Sequence, residues 1–108
     1  MQTTLFQKLE SYVTRNNFPL ADWDQRGLMP SSEETQQEMQ VALVDFLRFL
    51  QSCIATLAPG SKPLTLAVQE YLEEWDIIEF DTEEREYLYD LACEILLIVG
   101  VNPDDISI

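Results

Sequence analysis

The chain has no histidine, only six basic residues, two cysteines, three glycines and five prolines among its 108 residues. Without histidine it lacks the side chain that ordinarily titrates near neutrality, so neither a catalytic triad nor an imidazole general base is available. Cys53 and Cys93 each sit in an apolar stretch with no second cysteine at metal-ligand spacing and no charged neighbours that would activate a thiolate. Both are expected to be buried thiols, and nucleophilic catalysis is not expected. Three glycines form no phosphate-cradling loop, and so few glycines and prolines leave little material for long disordered segments or turn-rich β architecture. No eighteen consecutive residues are apolar, and the opening Met-Gln-Thr-Thr has no basic region followed by an apolar run. A cytoplasmic protein without a membrane span is therefore expected.

What the chain has in excess is acid. Twenty acidic residues against six basic ones give a formal charge of -14. A field of that sign repels nucleic-acid phosphates and anionic membrane surfaces and attracts basic surfaces. The expected partner is a basic protein, with no direct nucleic-acid or membrane binding.

Apolar spacing is helical throughout and predicts an all-α bundle of about four helices, a single domain over residues 1–108. Thr4 with Gln7 has the form of a capping box, followed by Leu5, Phe6, Leu9, Tyr12 and Val13 on one face, which predicts a first helix over about residues 3–16. The stretch through Phe18, Pro19, Gly27 and Pro30 is punctuated and reads as the longest loop. Ser31 with Glu34 forms a second capping box. It opens a long stripe of Met39, Leu43, Phe46, Leu47, Leu50, Ile54 and Leu57, the expected spine of the fold. Pro59 and Gly60 end that helix, and Pro63 suits the first turn of the next, which carries Leu64, Ala67, Val68, Tyr71, Leu72 and Trp75. Asp81 or Thr82 caps a last helix with carboxylates in its first turn, where the helix dipole favours them. Leu88, Leu91, Ala92, Ile95 and Val99 form its apolar stripe, with Gly100 as the residue that closes it. Ile77, Ile78 and Phe80 leave a short strand near 76–80 as the alternative for that segment.

Eleven of the twenty acidic residues fall between Glu70 and Glu94, with Arg85 the only base among them. The reading of this stretch is a partner-binding surface made of Glu70, Glu73, Glu74, Asp76, Glu79, Asp81, Glu83, Glu84, Glu86 and Asp90. Trp75, Tyr87 and Tyr89 are its candidate aromatic anchors. The competing reading is a solvated helix face that serves solubility.

Two metal motifs are incomplete. Asp22, Asp24 and Glu33 stand at positions one, three and twelve of a calcium-binding EF-hand loop, but Arg26 occupies the fifth-position oxygen ligand's place. The Glu-Glu-x-x-Glu followed by Glu-x-x-Asp of all-helical pyrophosphohydrolases is missed by one residue at Glu33-Glu34…Glu38 and at Glu86…Asp90. Glu73-Glu74 has Ile77 where the third glutamate belongs. No catalytic residue, metal ligand or cofactor is assigned.

Phe80-Asp81-Thr82-Glu83-Glu84-Arg85-Glu86-Tyr87-Leu88, the closing Ile98-Val99-Gly100-Val101, and Gly27-Leu28 ahead of a long amphipathic helix resemble a family of small bacterial helical proteins known only as a domain of unknown function. By size and charge the chain is also similar to immunity proteins, which block a cognate toxin by covering its working surface. That resemblance implies an immunity-type inhibitor of a basic effector. A nucleic-acid mimic, with carboxylates spaced like phosphates, is the alternative, ahead of a metal-dependent hydrolase or calcium-binding module.

Overall fold

The computed structural model describes residues 2–75 and 79–106. Among the described residues there are five helices: α1 (Gln2–Thr14), α2 (Leu20–Gln25), α3 (Glu33–Ile54), α4 (Lys62–Glu73) and α5 (Thr82–Ile98), followed by a 3-10 turn at Pro103–Asp105. Four are of substantial length, the chain is an all-α bundle, and no strand occurs among the described residues. The alternative strand lies largely at residues 76–78, outside the described residues, and Glu79 and Phe80 occupy a turn.

α3 is the spine: it packs against α1, α4 and α5. Of its predicted stripe, Met39, Leu43, Phe46, Leu47, Leu50 and Ile54 are buried, because steps of three and four residues keep one helical face turned to the core, while Leu57 lies past the end of the helix and is half-buried. The helix is capped by Ser32, whose hydroxyl accepts from the Thr35 N–H at 3.2 Å, and not by Ser31. Ser31 instead donates its hydroxyl to Glu84 of α5. Ser31 alone has a glutamate three residues on, but its hydroxyl is engaged by Glu84, and Ser32 caps the helix without a capping box. Likewise α1 begins at Gln2, so Thr4 lies within its first turn and the Thr4–Gln7 pair does not start it.

The supposed long loop contains α2. Pro19 stands at its N-cap in an extended conformation, and the Gly27 and Leu28 N–H groups bond back to Asp24 and Trp23 carbonyls at 2.9 and 3.0 Å. This is a Schellman ending, in which a left-handed residue, here Gly27 at φ 71°, satisfies the last carbonyls of a helix. The proline and glycine that suggested a loop are the two ends of a helix too short to show a periodic stripe. Trp23, 1% exposed, faces inward from it. Its indole N–H donates to the Phe18 carbonyl at 3.2 Å, and its ring meets Tyr87 edge to face at 5.0 Å. Asn17, beside Phe18, is buried as well, and its amide ties the Tyr12 carbonyl to Gln40 of α3.

α4 is capped by Ser61 and packs on α3 through Leu64, Val68 and Leu72. α5 has a full capping box: Asp81 accepts from the Glu84 N–H at 2.8 Å and the Glu84 carboxylate accepts from the Asp81 N–H at 3.0 Å. α5 also ends in a Schellman motif, with the Val101 and Gly100 N–H groups on the Leu96 and Leu97 carbonyls. Gly100 abuts Gly60 there, and the Gly60 N–H donates to the Val99 carbonyl at 2.9 Å. Beyond it Val101 and Ile106 are buried, so the tail folds back onto α5. Cys53 and Cys93 are free and half-buried, more open than the sequence suggested, and burial pushes both thiols up, away from thiolate character.

Candidate partner-binding surface

Most of the aromatic side chains fall into two clusters. In the first, Phe18 and Trp23 both meet the Tyr87 ring edge to face, at 4.9 and 5.0 Å, and close α2 onto α5. In the second, Phe46 and Phe49 of α3 meet Tyr71 of α4 at 5.5 and 4.3 Å. Trp75, just past the end of α4, touches Phe46 at 5.4 Å and the edge of Tyr89 on α5 at 5.9 Å. These contacts hold Trp75 half-buried at the junction of three helices.

That second cluster opens into a groove of about 580 Å³. Tyr71, Trp75 and Phe80 line it together with Val41 and Ala42 of α3, and carboxylates reach it from two sides. Glu38 and Asp45 come from α3, Glu74 from the end of α4 and Glu79 from the connection to α5. None of the residues lining it is basic. Val41, 60% exposed, leaves an apolar spot at the mouth. Tyr71 registers the local field: burial, and then the negative charge of Asp45, raise its phenol above the ordinary value.

Of the residues singled out in sequence, the groove therefore gathers Glu74, Trp75 and Glu79. Glu70, Glu73, Asp81, Glu83 and Glu86 are exposed outside its lining, and Asp76 lies outside the described residues. Two assignments are overturned. Tyr87, 2% exposed, is a core residue of the first cluster and not a surface anchor. Glu84, 8% exposed, is consumed by the capping box and by the Ser31 hydroxyl. Both sit on the inward side of α5, one helical turn apart. Asp90 is exposed but engaged: Arg26 bonds it at 2.8 and 2.5 Å while lying 4.2 Å from the centre of the Tyr87 ring. Glu38 and Asp45 were missed because they lie on α3, far in sequence from the dense acidic stretch. Their spacing of seven residues, two helical turns, was the available signal.

Metal readings fare differently. Asp22 and Asp24 stand within α2, two residues apart on a helix, and so do not form the loop that an EF-hand wraps around its ion. Among the described residues no three acidic or thiol side chains come together as a metal site. No helix among them is long and apolar enough to cross a membrane.

The Tyr87 phenol is pushed up to about 12, first by burial and then by the Asp22 carboxylate, against the pull of Arg26. Between pH 10 and 12 the folded protein keeps a proton that the unfolded chain releases. The contribution to stability is whole below pH 10 and is lost as pH rises toward 12. Urea unfolding across that window should show stability falling steadily, and Tyr87→Phe should make the fall shallower. An equal slope in both proteins would place the titrating group elsewhere.

No protein-family model, curated protein or solved structure matches this chain.

Proposed function

We propose that this chain is a non-catalytic, cytoplasmic binding protein, an immunity-type inhibitor that neutralises a basic effector by docking it over the acidic face centred on the α3/α4 groove. The observation that carries this reading is the groove itself, which combines an aromatic floor with carboxylates from three segments and no basic residue in its lining. Beyond the groove lining, Glu70, Glu73, Glu83 and Glu86 add exposed carboxylates to the surface of α4 and α5. Among the described residues the ion pairs are Arg26–Asp90 and Arg48–Glu10, and neither reaches the groove. Like charges at helical spacing cost a few tenths of a kcal/mol each. A cationic partner would relieve that repulsion, and its approach would be steered by the same field.

The test is association kinetics. The basic protein retained by the immobilised chain should bind the Glu73→Lys/Glu83→Lys/Glu86→Lys variant at least about tenfold more slowly at low salt, since long-range charge acts chiefly on the on-rate. These three carboxylates lie outside the groove lining, so the variant probes the field and leaves the floor intact. Unchanged association would remove the reading. Displacement of the partner by duplex DNA would replace it with the nucleic-acid mimic, in which carboxylates stand in for phosphates.

A further inference from the structure

Two of the four arginines, Arg15 and Arg26, lie over aromatic rings. Arg26 lies 4.2 Å from the centre of the Tyr87 ring while it bonds the Asp90 carboxylate. Arg15 lies 4.0 Å from the centre of the Tyr12 ring, whose hydroxyl donates to Glu94. In both places a guanidinium lies over a ring face; at Arg26 a carboxylate bonds it directly, whereas at Arg15 the carboxylate bonds the ring hydroxyl and the guanidinium donates to the Asn17 side-chain oxygen at 2.7 Å. The α3/α4 groove has the same parts, Tyr71 and Trp75 with Glu38, Asp45, Glu74 and Glu79, but none of its lining residues is a cation.

Several occupants are disfavoured by what is already described. The carboxylates do not converge as a metal site among the described residues. A second copy of the chain would bring a formal charge of -14 against -14. The groove volume of about 580 Å³ suits a short segment more than a lone ion. A guanidinium satisfies the remaining requirements better than an ammonium, because it is planar, stacks on indole and is more weakly hydrated. Its fork of donors can also engage two carboxylates at once.

We propose that this groove is a socket for an arginine-bearing apolar segment of the basic partner, its guanidinium stacked on Trp75 between carboxylates of α3 and α4 and a neighbouring apolar side chain resting on Val41. The assignment rests on the reading that the partner is a basic protein.

Isotope-labelled protein titrated with the peptide acetyl-Ala-Leu-Arg-Leu-Ala-amide tests it. The two indole N–H resonances report separately: Trp75 lines the groove, whereas Trp23 is buried with its N–H on the Phe18 carbonyl and serves as the internal reference. The arginine peptide should shift the Trp75 signal saturably and leave that of Trp23 in place. The lysine peptide should bind several-fold more weakly, and the citrulline peptide, of the same shape without charge, at least about tenfold more weakly. Asp45→Asn/Glu74→Gln should weaken the arginine peptide by a similar factor while the Trp23 signal certifies the fold. Trp75→Leu, which could disturb packing on Phe46, is secondary to that pair. Equal affinity for arginine and citrulline or lysine peptides, or no movement of Trp75 at millimolar arginine peptide, would overturn the socket. If that happens while the lysine triple variant still slows the partner, the docking face stands without an arginine anchor.

Discussion

Trp23→Ala is expected to lower folding stability by about 3–5 kcal/mol, the range for truncating a large aromatic in a packed core. Trp23 is 1% exposed, its ring meets Tyr87, and its indole N–H is bonded to the Phe18 carbonyl. Truncation leaves a cavity at the meeting point of α2, α5 and the α1–α2 connection, and it strips that carbonyl of its donor. Because α2 is only six residues long, it has little helical stability of its own, and packing holds it. Loss of Trp23 should therefore also free Arg26 from Tyr87 and Asp90. Thermal and urea unfolding measure the total, and small domains have only about 5–15 kcal/mol to lose. A loss under about 1 kcal/mol would mean that α2 is an ornament on the bundle.

Gly60→Ala and Gly100→Ala should each cost at least about 2 kcal/mol, well above the effect of Gly27→Ala at about 1 kcal/mol. All three glycines have positive φ, at 69°, 78° and 71°. They differ in surroundings. A Cβ at Gly27 would meet nothing within 4 Å, so only the backbone penalty applies. A Cβ on Gly60 would come within 3.0 Å of the Gly100 carbonyl oxygen, and one on Gly100 within 3.1 Å of the Gly60 nitrogen. These neighbours are backbone, which cannot swing aside, so the turn after α3 and the end of α5 would be pushed apart. The Gly60 N–H to Val99 carbonyl bond would stretch with them. Equal losses at all three positions would show that conformation alone matters and that the contact is dispensable.

The sequence made much of the fold legible. Steps of three and four residues placed the stripes of α3, α4 and α5, because burial of one helical face is a periodic constraint that survives in the order of residues. Asp81, one of the two caps the sequence left open beside Thr82, and Gly100 marked the ends of α5 for local reasons of hydrogen bonding. What stayed hidden depended on contacts between distant positions. The choice of Ser32 over Ser31 as a cap turns on Glu84, more than fifty residues away. The helix at Leu20–Gln25 is shorter than two turns and is held by Trp23 from one side.

The acidic surface was legible as a density and not as a shape. Taking the dense acid between Glu70 and Glu94 and the aromatics within it as one surface picked out Glu74, Trp75 and Glu79 of the groove lining, but it also swept in Glu84 and Tyr87, which point inward. It could not reach Glu38 and Asp45, which join the groove only because α3 runs past the end of α4. Composition reports how much charge a segment carries. Which of it faces a common space is a property of packing.

Docking on the acidic face is tested most directly by the salt dependence of association between the chain and the proposed basic partner. Screening shortens the reach of a charge from about 10 Å at 0.1 M salt to about 3 Å at 1 M. The wild-type on-rate should therefore fall steeply with salt, and the Glu73→Lys/Glu83→Lys/Glu86→Lys on-rate should start lower and change little. The two curves should meet near 1 M. Parallel curves, or a wild-type on-rate indifferent to salt, would contradict docking on this acidic face.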